Sequence, residues 1–454
     1  MVKAKKEAKT EGKEEKKNII EGRISVEKAF QSKAGEKVKL AGWVHDTRAL
    51  GKVKFLVLRD VTGRIQTVAF KGETPEEAFE KIGKINRESC IVIDGVVKDS
   101  KQAPGGKEIG VEKVELLNSS EEQIPIDVSD FSKTELPKRL DYRFLDTRRK
   151  EPSAIFKIRS SIYRHIVDFY HDNGFTIINT PKITTIGLES GAESFVVNYF
   201  NKKAVLAQSP QFYKQMFVNG GFERVFEIGQ VYRAEKSHTT RHLTEFTGVD
   251  FEMGFIKNEN DVMDMIENML KYVIAKVKEE RKTELAELKV ELKVPNKIPR
   301  VPMPELKKML AELGKKLSEE DDLDAEAERM LGEYALKEFG EEFIFVTNYP
   351  AKVRPFYHMR PENDKKGTRS FDLLWRGVEI ATGAQREHRL DILRVQADEK
   401  GVKIPQIYEE IFKFGACPHG GVGFGLDRIT QRMLNLENVR EGLLLTRDTE
   451  RLTP

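Results

Sequence analysis

From about residue 36 to residue 118 apolar and polar positions alternate in short runs, the pattern of half-buried β-strands. KVKLAGWVHDT opens the series, VKFLVLRD follows, and the turn VTGR leads into IQTVAF. ESCIVIDGVVKD and KEIGVEKVELL supply two more strands. Between the third and fourth runs, TPEEAFEKIGKI switches to helical spacing, with Thr74 as the expected N-cap and Pro75 as the first helical residue. Five strands with a helix after the third predict an OB-fold β-barrel, an architecture that binds single-stranded nucleic acid on its strands.

The pattern changes after a polar stretch, 119–145, that carries two prolines and reads as a hinge. Ile155, Ile158, Ile162, Ile166 and Phe169 recur at helical spacing, with Gly174 placed to end that helix. Val262, Ile266, Leu270, Ile274 and Val277 mark a second long amphipathic helix, and about 285–340 reads as a helical insert. FIFVTNYP, FDLLWRG and VEIATGAQRE read as neighbouring strands, with Arg376-Gly377 at a hairpin turn. The expected class is therefore α+β: an antiparallel sheet flanked by helices rather than a doubly wound parallel sheet. The expected domains are a lysine-rich disordered tail at 1–20, the barrel at 21–118, the hinge at 119–145 and a catalytic domain at 146–454.

Composition adds limits. Of 454 residues, 77 are basic and 74 acidic, so the net charge of +3 does not announce a nucleic-acid binder and any basic surface must be local. Cys90 and Cys417 form no paired motif, which argues against a zinc site or a disulfide framework. No apolar run approaches the ~20 residues of a membrane span, and the N-terminus lacks an apolar signal core, so a cytoplasmic protein is expected. There is no GxxxxGK[ST] loop, so a nucleotide would have to be held in another way.

The most unusual segment is VFEIGQVYRAEKSHTTRHLTEFTGVDFEM. A strand leads to Arg233 and Glu235, a loop without large apolar residues follows, and a second strand carries Glu245, Phe246, Asp250 and Glu252. Taken alone, this is a charged hairpin that a solvated, salt-bridged surface would also explain. Its pattern, Arg-x-Glu, loop, Arg-His-x-x-Glu-Phe, resembles motif 2 of the class II aminoacyl-tRNA synthetases. GGVGFGLDRITQRML is similar to motif 3, and the helix at 155–170 followed by FTIINTPKI, with Pro181, is similar to motif 1. With the barrel ahead of them, the three motifs resemble the aspartyl, asparaginyl and lysyl subgroup, most closely archaeal-type aspartyl-tRNA synthetases, over about residues 20–454.

The resemblance implies roles. Arg233 would contact the α-phosphate of ATP and the amino acid carboxylate, where an always-charged guanidinium stabilises gathering negative charge. Glu235 would accept from the adenine amino group, Phe246 would stack under the base, and His242 and Leu243 would lie along the phosphates. Arg428 would cover adenine, with Gly423 and Gly425 letting the backbone approach. Glu379 and Thr382, with Asp372, would hold Mg²⁺ bridging the phosphates, an ion that takes oxygen ligands; ordinary surface acids are the alternative. Ser209, Gln211 and Glu189 from GLESGAES would face the α-amino group of L-aspartate. Lys214, oriented by Asp250, and Arg386 would meet its side-chain carboxylate, although a lone lysine can also snorkel on a surface.

Two cations aimed at one oxygen pair favour aspartate over asparagine, and a lysyl enzyme would need an acidic pocket instead. In the barrel, Phe55 would stack on an anticodon base, Gln66 would bond the central uracil and Glu108 another base edge; without the resemblance Phe55 reads as core. His45 with Pro104 resembles the non-discriminating type, which charges tRNA(Asp) and also tRNA(Asn). The alternatives are a discriminating aspartyl enzyme, an asparaginyl enzyme, a silent RNA-binding paralogue and an ammonia-dependent asparagine synthetase. The resemblance also implies a homodimer through motif 1.

Overall fold

Strand alternation is realised first in a closed barrel. The computed structural model describes residues 18–185, 194–237 and 239–454. The barrel strands are β1 (Lys37–Leu50), β2 (Val53–Arg59), β3 (Arg64–Phe70), β4 (Cys90–Asp99) and β5 (Lys107–Asn118). They close in the order β1-β2-β3-β5-β4, with β3 and β5 parallel and the other pairs antiparallel. Val38, Leu40, Val44, Leu56, Leu58 and Ile65 turn inward and pack with Ile91, Ile93 and Ile109. Burying each such side chain contributes about 1.5–3 kcal/mol relative to exposure.

The helix after β3 runs Glu76–Ile82. Its cap differs from expectation: Pro75 occupies the cap position, and the Thr74 hydroxyl instead accepts from the Phe70 N–H at 3.1 Å, closing the turn that precedes the helix. Proline there supplies the fixed φ but no capping oxygen.

The chain divides into two compact units between Phe131 and Ser132, inside the stretch expected to be a hinge. In the second unit the remaining strands are β6 (Thr176–Ile177), β7 (Ile183–Thr184), β8 (Val196–Tyr199), β9 (Lys202–Leu206), β10 (Arg224–Tyr232), β11 (Glu245–Gly254), β12 (Arg300–Pro302), β13 (Phe343–Thr347), β14 (Ser370–Trp375), β15 (Val378–Gln385) and β16 (His419–Gly425). β7, β9 and β8 form a small sheet, and the others form one sheet in the order β12-β13-β14-β15-β16-β11-β10-β6. The pairs β10–β6 and β12–β13 are parallel; the six central strands are antiparallel throughout.

Two helices cover one face of this sheet. Lys150–Asp172 buries Ile155, Ile158, Ile162, Ile166 and Phe169, and ends where Gly174 takes φ +78°. Glu259–Glu280 buries Val262, Ile266, Leu270, Ile274 and Val277 against the same core. Both stripes follow the helical period, so one face of each helix meets Phe226, Phe251, Phe345, Phe371 and Val422 of the sheet. The insert is less purely helical than expected, because its Arg300–Pro302 segment joins the sheet edge as β12. Its helices Met303–Glu312 and Ala325–Phe339 pack on Ile344, Val346 and Leu374. Among the described residues no helix is long and apolar enough to cross a membrane.

Candidate active site

The strands β10, β11, β16 and β15 lie side by side at the middle of the sheet, so their alternate side chains converge. A cavity of ≈ 540 Å³ opens on them. Along one part of it lie Arg233, Glu235, His242, Leu243, Phe246 and Arg428. Ser209, Gln211, Asp250, Thr382, Glu379 and Arg386 line the rest. Gly423 and Gly425 of β16 form part of the floor. Twelve expected side chains from five separate stretches of sequence therefore share one concavity.

Arg233 follows β10 directly, and its backbone N–H donates to Thr244 O at 2.9 Å, which continues the β10–β11 ladder past its last strand pair. Its guanidinium is 42 % exposed, sits 3.9 Å from the Glu235 carboxylate and lies 5.4 Å from the centre of the Phe246 ring. This end of the cavity is thus an open stack of a cation and an aromatic face, with one loosely held carboxylate. Arg428 opens the helix Leu426–Met433 and donates to Glu379 O at 2.9 Å. Burial, then Arg428 and Arg241, push the His242 imidazole below its ordinary value, so it faces the cavity neutral.

The opposite end is closed and densely bonded. Asp250 and Glu252 are two residues apart on β11 and share a face. Lys214, on the helix Gln211–Phe217, donates to Asp250 Oδ1 at 2.9 Å and to Val422 O at 2.9 Å, and lies 3.6 Å from Glu252. Its ammonium is held by Asp250, which lines the cavity. Arg386 does line the cavity; its Nε donates to Glu252 Oε1 at 2.9 Å and its Nη2 to Gln211 Oε1 at 3.2 Å. Burial alone would raise the Glu252 carboxyl, but Arg386 and Lys214 hold it below the usual range.

Behind Arg386 the polar network continues without a break. Gln211 Nε2 donates to Gln215 Oε1 at 2.9 Å, and Tyr408 Oη donates to the same oxygen at 3.0 Å. Gln215 Nε2 lies 2.8 Å from His419 Nε2, whose Nδ1 is 2.7 Å from Cys417 O. His419 therefore accepts at Nε2 and donates at Nδ1. His358 Nε2, 3.1 Å from Arg386 Nη1, can only accept there. Burial, Arg386 and Arg354 hold its ring well below the ordinary value, so it is neutral.

The expected metal ligands lie on the adjacent strands β14 and β15. Glu379 lines the cavity and accepts from Thr382 Oγ1 at 3.0 Å. Burial would raise its carboxyl, but Arg428 and the Thr382 hydroxyl pull it below its ordinary value. Asp372 is not on the cavity surface. It pairs with Thr382 in the ladder rather than with Glu379, a bulge lies between Leu373 and Leu374, and its Oδ2 is taken by Arg354. Burial lifts the Asp372 carboxyl to about 6. Glu379 with the neighbouring Thr382 hydroxyl offers oxygen donors of the kind Mg²⁺ favours; among the described residues no group of three or more His, Cys, Asp or Glu side chains could hold a metal ion.

Glu189 lies outside the described residues. In the barrel, Gln66 Nε2 donates to Glu108 Oε2 at 2.8 Å across the parallel β3–β5 pair, so these two expected base contacts are held together. Phe55 is half-buried on β2, and Pro104 is exposed and begins a short 3-10 turn before β5. His45 occupies a bulge between Val44 and Asp46 in the β1–β2 pairing, a device that re-aims a side chain. Arg59, paired with Glu88 at 2.6 Å, lies 3.1 Å from His45 Nδ1.

Sequence reasoning gave no individual role to several side chains that the fold brings to the site. Arg354 and His358 lie between β13 and β14, where no periodicity marks them. Arg241 lines the cavity beside His242. Glu252 carried a usable signal, the two-residue spacing from Asp250. Gly421 is the tightest glycine of β16: a Cβ there would meet Glu252 Oε2 at 2.2 Å, whereas at Gly425 it would meet only the Arg428 side chain at 3.6 Å. A second concavity, between the helices Lys150–Asp172 and Glu259–Glu280, is lined by charges paired with one another, such as Arg164 with Glu280 at 2.8 Å.

Residues 135–449 match the family model described as tRNA synthetases class II (D, K and N), and residues 38–117 match the OB-fold nucleic acid binding domain. The chain is 45% identical over 431 residues to the aspartate–tRNA(Asp/Asn) ligase of Aeropyrum pernix, covering 93% of this chain and 97% of that one. It is 44% identical over 424 residues to the aspartate–tRNA(Asp) ligase of Pyrococcus abyssi, covering 92% and 97%. Among solved structures, asparaginyl-tRNA synthetase from Pyrococcus horikoshii complexed with asparaginyl-adenylate superposes with a TM-score of 0.89 at 33% identity, covering 95% of this chain and 99% of that one. Aspartyl tRNA synthetase from Entamoeba histolytica gives 0.86 at 31%, covering 95% and 92%.

Proposed function

Because the chain belongs to the class II aminoacyl-tRNA synthetases of the aspartate, lysine and asparagine group, carrying the group's OB-fold domain, we propose that it is an aspartate–tRNA ligase. The observation that carries aspartate is Arg386, whose guanidinium faces the closed end of the cavity while Glu252, Gln211 and His358 fix it from behind. Glu252 and Asp250 already balance Arg386 and Lys214, so the site offers no surplus charge; it offers donors held at fixed positions. A carboxylate can accept from all of them, while the N–H₂ of an asparagine amide would be turned against a donor. A buried donor left unpaired costs about 1–3 kcal/mol. Likeness of fold does not decide the amino acid, since both aspartyl and asparaginyl structures superpose well.

In the first step an aspartate α-carboxylate oxygen attacks the α-phosphorus of ATP, the bond to the β-phosphate oxygen breaks, and pyrophosphate leaves. Arg233 is poised to hold the α-phosphate and the attacking carboxylate together, Phe246 and Arg428 to sandwich the base, and Glu235 to accept from its amino group. Mg²⁺, held by Glu379 with Thr382 nearby, would neutralise phosphate charge. In the second step a ribose hydroxyl at the 3′ end of tRNA attacks the adenylate carbonyl and AMP leaves. Positioning and charge stabilisation supply most of the acceleration, and no enzyme-bound covalent intermediate is required.

The barrel is proposed to read the anticodon through Phe55, Gln66, Glu108, His45 and Pro104, and to accept tRNA(Asp) and tRNA(Asn). The two relatives named above differ on this point in their own names. The protein is further proposed to be a cytoplasmic homodimer through the motif 1 region, which sedimentation equilibrium tests by mass. Pyrophosphate exchange with aspartate and with asparagine, followed by charging of the two purified tRNAs, tests the rest. Aspartate-dependent exchange and charging of both tRNAs are expected. Exchange driven by asparagine overturns the amino acid, and charging of tRNA(Asp) alone overturns the relaxed choice.

A further inference from the structure

The helical insert has no part in the chemistry described so far, yet one of its side chains reaches the nucleotide end of the cavity. Glu328, in the first turns of the helix Ala325–Phe339, is buried, with 7 % of its side chain exposed. Its Oε2 accepts from Arg241 Nη1 at 2.8 Å and from the backbone N–H of Glu379 at 3.1 Å. These two partners belong to separate elements, and both line the cavity. Arg241 belongs to the loop between β10 and β11 and lines the cavity beside His242. Glu379 stands on β15, accepts from Thr382 through its side chain and from Arg428 through its carbonyl. One carboxylate oxygen therefore ties a loop that faces the phosphates to the strand that carries the acidic ligand.

The helix bearing Glu328 is itself locked in place. Gly332 packs on the β14–β15 turn so closely that a Cβ there would lie 2.4 Å from Gly377 N. Gly377, at φ +70°, would in turn bring a Cβ within 2.8 Å of Arg329 Cα. Glycine against glycine sets the distance from the insert to β15, and that distance sets where the Glu328 oxygen stands. At the N-terminal end of the helix, Asp324 accepts from the Ala327 N–H at 2.8 Å and pairs with Lys315 at 2.6 Å. The carboxylate thus stands on a rigid element, while both groups that it holds belong to the cavity.

We propose that Glu328 is a positioning residue for ATP, fixing the Arg241 guanidinium and the backbone of Glu379 in the arrangement that the phosphates and their cation require. This rests on the cavity taking ATP. A free arginine side chain gives up rotamer freedom when it is ordered. An Arg241 already anchored through Nη1 keeps its other N–H groups for phosphate oxygens and has less freedom left to lose on binding. Burial pushes the Glu328 carboxyl above its ordinary value, opposed by Arg241 and the Glu379 amide.

The test compares wild type with Glu328→Gln, Arg241→Gln and the double variant, by calorimetric binding of ATP with Mg²⁺ in the full-length protein and by the KM values for ATP and aspartate in pyrophosphate exchange. Glutamine keeps the volume and one acceptor, and a second variant, Glu328→Asp, keeps the charge but shortens its reach. The expected result is an ATP Kd about tenfold weaker in Glu328→Gln and Arg241→Gln, no further loss in the double variant, and partial recovery in Glu328→Asp. The aspartate KM should stay within about twofold. An unchanged ATP Kd, additive losses in the double variant, or equal rises in both KM values overturn the proposal. A wild type that binds ATP but shows no aspartate-dependent exchange removes the function proposed above, while the binding arms still decide the role of Glu328.

Discussion

The two ends of the cavity are built on opposite principles. At the amino acid end every charge has a buried partner: Lys214 has Asp250 and Glu252, and Arg386 has Glu252, Gln211 and His358. At the nucleotide end Arg233 is 42 % exposed and Glu235, 36 % exposed, sits 3.9 Å away. At the closed end, moving any donor would unpair another group in a medium of low polarity. The open end can accept a large, charged ligand and be completed by it. Selectivity and capacity are thereby separated along one row of strands.

The largest expected effect comes from breaking the closed end. Arg386→Gln leaves Glu252 buried without its strongest partner, and loss of one member of a buried pair typically costs about 3–5 kcal/mol. Both the melting temperature and kcat/KM for aspartate in pyrophosphate exchange should fall, the latter by about 10³-fold or more. A variant that melts normally would sink the contrast drawn between the two ends.

Arg233→Ala is the counterpart at the open end. Removing a preorganised charge donor typically lowers kcat by about 10²–10³-fold. Stability should hardly change, since exposed pairs contribute about 0–1 kcal/mol. Exchange kinetics and a thermal melt on the same preparation separate the two signatures, and a large loss of stability here would erase the distinction.

A smaller effect sharpens it through pH. His358 is held neutral in the folded protein with its affinity for protons depressed. The unfolded chain takes up that proton at a higher pH, near 6.5 for an ordinary histidine. The stability His358 contributes is therefore complete above that value and is lost as pH falls through it. Asp372, raised to about 6, works the other way: its contribution is complete below the ordinary carboxylate range and is lost as pH rises through about 6. In His358→Gln, the drop in melting temperature between about pH 7.5 and 5.5 should shrink by the equivalent of on the order of 1 kcal/mol. An unaltered slope would mean that His358 does not titrate on unfolding.

The smallest effect lies in the barrel. The His45 imidazole is pushed down to about 4 by burial and by Arg64 and Arg59. Its ring resonances should titrate with a midpoint near pH 4 by NMR, and a midpoint near the ordinary 6.5 would show that Arg59 does not hold it.

Much of this was legible in the chain because local rules were obeyed. The two long helices followed from apolar spacing at Ile155–Phe169 and Val262–Val277, and the barrel followed from alternation. At the open end Arg233, Glu235, His242 and Phe246 lie close together in sequence, yet alone they read as a charged hairpin, and the resemblance to motif 2 was what marked them as a site. The closed end was only partly legible. Lys214 was legible as a charge near the acids of β11, but its bonds to Asp250 and Val422 O are seen only in the fold. Asp372 was expected at the metal, and its ion pair with Arg354 had no signal in the spacing. Arg354 and His358 act from a stretch without regular structure, where period carries no information. Spacing reveals which face a residue occupies; it does not reveal what stands between that residue and the cavity.

The glycines of β16 have a consequence for how this protein can change. Saturation of positions 419–425 under selection for activity should return glycine alone at 421, where any Cβ would overlap both Glu252 and the Phe251 carbonyl at 2.2 Å. Position 420 should be nearly as closed, with Ala384 O at 2.8 Å, while 425 should admit alanine. Drift along this strand is then confined to the side of the nucleotide, and an altered amino acid preference would have to arise by exchanging side chains around Arg386, because the backbone beneath them has no room to move.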